Sequence, residues 1–216
     1  EDRTLPMARL KAALAADWQG YEDVRRQCLA VPKYGNGDDR VDLIARDLYA
    51  FWVRTAAELP TVLGSTHKAT AISITSHQPG GMLTSATPDG RRAHEICADG
   101  TVSPMHGRDT HGPTAVMRSA LKIDQAPYQA TLMNLKFHPS ALANDADLGK
   151  LSTLLRTYFS RGGKHVQFNV VTRDTLLDAQ ANPEQHRGLV VRIAGYSGSG
   201  SRVRWRTARR STASGP

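Results

Sequence analysis

Cysteine is scarce in this sequence: Cys28 and Cys97 are the only two among 216 residues. A disulfide framework is therefore excluded, and the fold must rest on a buried core. Cys28, in Arg26-Gln27-Cys28-Leu29, reads as a small buried hydrophobe on a helix. His94 and Cys97 stand at the gap of a metal half-site, but no second pair follows, so no metal site is expected. His106 and His111 lie across a loop rather than on one helix face. Gly198-Ser199-Gly200 lacks the Lys-Ser/Thr that would make a phosphate loop. No run of about 18 apolar residues occurs, so no membrane-spanning helix is expected. The first residues, Glu1-Asp2-Arg3-Thr4, have neither the basic start nor the apolar stretch of a signal peptide, which points to the cytoplasm. Acids are absent from the last nineteen residues, which carry Arg202, Arg204, Arg206, Arg209 and Arg210. Most of the net charge of +8 thus belongs to a tail and not to a face of the fold.

A hydrophobic content of 40% marks a folded chain. Leu5, Leu10, Leu14 and Trp18 recur at helical spacing over residues 5–18. Asp38 or Asp39 can cap a second helix, whose apolar face would be Val41, Ile44, Ala45, Leu48, Trp52 and Ala56, with Pro60 ending it. Strands are expected over residues 69–75, 131–137, 165–171 and 189–194. A long loop, rich in Gly, Pro and Asp, is expected from Gln78 to Pro113, and loops of that length generally serve a site. A helix from Asp145 should close at Gly162-Gly163, and Thr172 or Asp174 should cap another through Gln180. Strand, helix and strand over residues 165–194 make a compact α/β unit.

The last of these strands runs into Val190-Val191-Arg192-Ile193-Ala194-Gly195-Tyr196-Ser197-Gly198. Glycine has no side chain on Cα, so its backbone reaches conformations closed to other residues. The same bareness lets a radical on Cα flatten and delocalise into both flanking amides. Such a radical is an internal cofactor, which the protein positions and shields. A plain turn glycine would also fit Ala194-Gly195-Tyr196-Ser197 taken alone.

The segment resembles the radical motif of the glycyl radical enzymes, the pyruvate formate-lyase-like superfamily, at Val190, Arg192 to Tyr196 and Gly198. Further blocks resemble the same family in order: Pro32-Lys33-Tyr34-Gly35-Asn36, Ala86-Thr87-Pro88-Asp89-Gly90-Arg91, Ala98-Asp99-Gly100, Ser103-Pro104, Gly112-Pro113-Thr114-Ala115, and residues 163–171, 174–180 and 183–184. The Ala-Gly-Tyr-Ser form is closer to the dehydratase and lyase branch. The resemblance implies an α/β fold: the C-terminal part of a ten-stranded β/α barrel of two antiparallel half-sheets, followed by the glycyl radical domain. It implies that Gly195 stores the radical, with Arg192, Ala194, Tyr196 and Ser197 supporting its loop. It also implies that this radical takes a hydrogen atom from a cysteine on a facing loop, and that the thiyl then opens a C–C, C–O or C–N bond of a small substrate. No cofactor is bound on this reading. A separate activase, a radical S-adenosylmethionine iron–sulfur enzyme, installs the radical while the glycine loop swings outward. The full-length protein would be a homodimer.

Neither cysteine here has the Gly-Cys context of the family's thiyl site, so this stretch is expected to be inactive alone. The expected division is residues 1–141 as an incomplete barrel portion, 142–197 as the radical domain and 198–216 as an aberrant, disordered basic tail. A stand-alone spare part for a damaged lyase is the alternative. A nucleic-acid-binding tail, with Trp205 stacking between arginines, is a weaker one.

Overall fold

The structure, a computed structural model, describes residues 5–193 and 196–199, with the backbone alone for 192, 193 and 196–199. Ala194, Gly195 and residues 200–216 lie outside the described residues. The elements follow the order α1 (Met7–Ala15), α2 (Glu22–Ala30), α3 (Asp39–Glu58), α4 (His77–Leu83), α5 (Gly112–Ala120), β1 (Asn134–Phe137), α6 (Asp145–Ser160), β2 (Gln167–Val170), α7 (Arg173–Ala181), β3 (Val190–Ile193) and β4 (Tyr196–Ser199). Short 3-10 turns at Pro139–Leu142 and Pro183–His186 lead into α6 and β3.

Local chemistry sets the helix ends. Asp38 caps α3 by accepting from the Arg40 amide, and Pro60 forces Leu59 into extended backbone just after the helix. Asn144 caps α6 and Thr172 caps α7 in the same way. Gly162, at φ +96, ends α6 in a Schellman turn: its amide reaches the Phe159 carbonyl, and the Gly163 amide reaches that of Tyr158. A Cβ on Gly163 would stand 2.3 Å from the Tyr158 ring, so the chain passes there only as glycine. The Lys33 ammonium donates to the free carbonyls of Cys28 and Val31 at the end of α2.

β1 and β2 pair in parallel, Asn134 opposite Gln167 through Phe137 opposite Val170. Upstream of β1 a parallel bridge joins Ala71 to Thr131, and the Val102 amide reaches the Leu132 carbonyl. β3 lies beside β2, and β3 and β4 form an antiparallel ladder. Helices α5 and α6 supply Val116, Met117, Ala120 and Tyr158 to the main core, which Leu135 of β1 and Met133 just before it enter from the other side. A smaller core of Ala13, Trp18, Val24, Cys28 and Ala86 holds the first two helices.

Several expectations are corrected. The first helix stops at Ala15, because Asp17 and Trp18 take left-handed backbone to bury the indole. Only Ala71 of residues 69–75 enters a β-bridge, since the chain turns at Ser73 with Ile74 at φ 48. The strand expected over residues 131–137 is shorter, Asn134–Phe137. The expected loop of 78–113 contains most of α4 and the first residues of α5. Helix α3 turns Asp42, Ala45, Tyr49, Val53 and Ala56 inward, while Ile44, Leu48 and Trp52 are exposed. Its register is set by Asp42, wholly buried, which accepts from Ser119 Oγ and Lys122 Nζ at 2.8 Å each. Gly198 and Ser199, assigned to the tail, pair with Val191 and Val190 and so belong to the ladder. No described helix is long and apolar enough to cross a membrane.

Candidate functional site: the glycine hairpin and its supports

The chain reaches Gly195 along a supported path. β2 leads through the Thr172 cap into α7, where Asp178 accepts from Asn182 and lies 2.7 Å from His186 Nε2. These contacts hold the carboxyl of Asp178 below its usual range and brace the turn into β3. Arg192 then pairs with Ser197, and Ile193 with Tyr196. Two residues, Ala194 and Gly195, connect the innermost pair; both lie outside the described residues. The backbones of Arg192, Tyr196 and Ser197 are thus brought together on either side of Gly195.

The upstream blocks have structural roles. Arg91 is 2% exposed, and its guanidinium is spread among backbone carbonyls of Thr84, Ser85 and Glu95, with Thr87 Oγ1 beside it. Asp89 accepts from Thr87, and the Gly90 amide closes the turn onto the Thr87 carbonyl, so the Pro-Asp-Gly acid is a turn former. Gly90 sits so close to Leu29 that a Cβ would meet its Cδ2 at 2.6 Å. The Trp18 indole and Arg25 donate to the Arg91 and Gly90 carbonyls, fastening this turn to the first two helices. Asn36 joins two loops: its amide donates to the Lys33 and Arg108 carbonyls, and its oxygen accepts from Thr110 and His111.

The two cysteines are free thiols, Cys28 buried and Cys97 half-buried. Cys28 is buried in α2, and burial pushes its thiol up. His94 turns its Nδ1 to the Met82 carbonyl at 2.6 Å. Among the described residues no group of three or more His, Cys, Asp or Glu could hold a metal.

A second feature stands beside the hairpin. Strand alternation puts Leu135, Phe137, Phe168 and Val170 on one face of β1–β2, and Asn134, Lys136, Gln167 and Asn169 on the other. The polar face is not simply wet. Asn134 and Gln167 are 9% and 5% exposed, and the Asn134 oxygen and both amide atoms of Gln167 have no hydrogen-bond partner. The sequence reading missed this pair, although alternating Asn-Leu-Lys-Phe and Gln-Phe-Asn-Val carries the two-faced signal.

Comparison with known proteins agrees with this geometry. The family described as Glycine radical matches residues 98–199, and Pyruvate formate lyase-like matches residues 1–81. Isethionate sulfite-lyase of Oleidesulfovibrio alaskensis is 40% identical over 200 residues, covering 91% of this chain and 24% of the relative. The B12-independent glycerol dehydratase of Clostridium butyricum, solved with glycerol bound, superposes with a TM-score of 0.87 at 39% identity, over 93% of this chain and 25% of that one. The hydroxyproline dehydratase of Clostridioides difficile gives a TM-score of 0.90 at 35% identity, over 96% and 26%. The chain spans about a quarter of the length of these relatives. Two family matches covering nearly all the described residues, and a shared fold with several such enzymes, establish that the chain belongs to the glycyl radical enzymes and corresponds to the C-terminal region of its longer relatives.

Proposed function

We propose that this chain is the radical-bearing segment of a glycyl radical lyase or dehydratase, with the radical stored on Gly195. The observation that carries the reading is the β3–β4 ladder, whose Ile193–Tyr196 pair brackets Gly195 within the region matched as Glycine radical. Arg192, Ala194, Tyr196 and Ser197 support the loop on this reading. The division into residues 1–141 as a barrel portion and 142–197 as a radical domain is part of it, with β1 and β2 as strands of a ten-stranded barrel completed by other polypeptide. A radical S-adenosylmethionine activase would remove a hydrogen atom from Gly195 Cα, and the full-length enzyme would work as a cytoplasmic homodimer.

In turnover the Gly195 radical would regain a hydrogen from a cysteine thiol and leave a thiyl, which attacks a small substrate. Cys28 is helical and buried, Cys97 is half-buried with its amide on the His77 carbonyl, and neither has the Gly-Cys setting of the family's thiyl site. This chain alone is therefore expected to hold a radical without turning over substrate. The match of residues 1–81 to Pyruvate formate lyase-like favours an enzyme segment over a stand-alone spare part. The arginine-rich tail, the basis of the nucleic-acid reading, lies outside the described residues.

The test is anaerobic treatment of the chain with an activase and S-adenosylmethionine, followed by spin resonance. A doublet that collapses to a singlet on deuterating glycine Cα, and is lost in Gly195→Ala, is expected. A signal that persists in Gly195→Ala would overturn the assignment.

A further inference from the structure

The hairpin that carries Gly195 has no hydrogen-bonded ladder to the other strands. Among the described residues β1–β2 and β3–β4 are separate two-stranded sheets, and β3 only lies beside β2. A two-stranded hairpin on its own is marginal in water, so its seat depends on what holds its ends. The hold seen here is the connection from α7 to β3, residues 182–189.

That connection is gathered on Asp178, near the end of α7. The Asp178 carbonyl accepts from the Asn182 amide at 2.7 Å, and its Oδ1 accepts from the Asn182 side chain at 2.7 Å. Its Oδ2 lies 2.7 Å from His186 Nε2. The His186 carbonyl in turn accepts from the Leu189 amide at 3.0 Å, one residue before β3. One chain of hydrogen bonds thus runs from α7 through Asp178 and His186 to the foot of the hairpin. An imidazole is the link in it that changes charge near neutrality.

The carboxylate can only accept, so Nε2 carries a hydrogen in either state of the ring. The contact therefore survives titration, but its strength does not, because a charged donor makes a bond about twice as strong as a neutral one. His186 first, and Asn182 second, hold the Asp178 carboxyl below its usual range, so it stays an anion while an imidazole titrates. The clasp is accordingly strongest below about pH 6.5 and weakens as pH rises through that value. It is lost on the acid side only where Asp178 itself takes up a proton. Other charges do not compete. Arg173 and Asp174 sit in the first turn of α7 and do not perturb Asp178, and Glu184 is taken by Arg187. Strand β2, beside β3, has no titratable residue.

We propose that Asp178 and His186 are positioning residues for Gly195: their clasp seats the hairpin more firmly in mild acid than in mild base, and so sets how often the glycine opens to its surroundings. The inference rests on the reading of Gly195 as the radical site, but the clasp is tested without a radical.

The test is amide hydrogen exchange on the ¹⁵N-labelled full chain from pH 5 to 8, each rate divided by the intrinsic rate at that pH, with the His186 ring signals recorded alongside. Protection of the β3–β4 amides should fall about two- to fivefold across the range, the effect of an exposed charged pair. The fall should share the midpoint of the His186 titration, and amides of α6 should not follow it. His186→Gln keeps a donor that does not titrate and should remove the pH dependence, as should Asp178→Asn. If either substitution disturbs the fold, the coincidence of midpoints in the unaltered chain decides alone. Protection that ignores pH, a midpoint apart from that of His186, or a pH dependence that survives in His186→Gln overturns the proposal. Spin resonance judges the radical assignment separately, so a failed clasp and a failed radical site are told apart.

Discussion

The two faces of the β1–β2 pair take four residues each from the same two strands and behave oppositely. One face carries Leu135 and Phe168 into the core beside Val116, Met117 and Tyr158. The other carries Asn134 and Gln167, no less buried as a pair but with amide atoms unpaired. The apolar face is finished, because its partners α5 and α6 belong to this chain. The polar face holds groups whose partners are absent among the described residues. Burial of equal depth thus stabilises on one side and costs on the other, and the difference lies in whether a partner is at hand.

The contrast can be broken most severely on the finished side. Leu135→Ala removes packed atoms from the core and should lower stability by about 2–5 kcal/mol in denaturant titration. Asn144→Ala strips the cap from α6, the helix that covers this face, and should cost about 0.5–2 kcal/mol by the same measurement. On the unfinished side the sign should reverse. Gln167→Met keeps the volume and deletes an unpaired amide, so stability should stay level or rise by up to about 1 kcal/mol. A large loss there would mean that Gln167 has a partner after all.

The smallest effect is one of pH. Burial depresses the pKa of His106 from its ordinary 6.5, so the unfolded chain takes up a proton before the folded chain does. Stability should therefore decline as pH falls below about 6.5 and level off below the folded value. Thermal melts across that range should show the decline, and His106→Asn should flatten it.

The legible parts of the fold were those governed by neighbours in sequence. Asp38, Thr172 and the Gly162-Gly163 stop act over one turn of chain, and each does what its residue type dictates. What distant contacts decide was hidden. Periodicity on α3 showed an apolar stripe including Ile44, Leu48 and Trp52, yet Asp42 reaches Lys122 and Ser119 across the chain and turns that stripe outward. Arg91 stood out in the sequence only as the end of the Ala86–Arg91 block, and only the folded loop shows it buried, where arginines are rarely found. At the hairpin, the Val190 to Gly198 motif singled out Gly195, which itself lies outside the described residues. The ladder added the Val190–Ser199 pair, one residue beyond that motif.

Arg91 also has a consequence in time. Its carbonyl partners at Thr84, Ser85 and Glu95 come from opposite ends of one loop, and a single buried guanidinium joins them. Freeing any one carbonyl exposes the others to the same unpaired charge. The segment from Thr84 to Glu95 should accordingly open as a block, and its slowly exchanging amides should share one protection factor in hydrogen exchange.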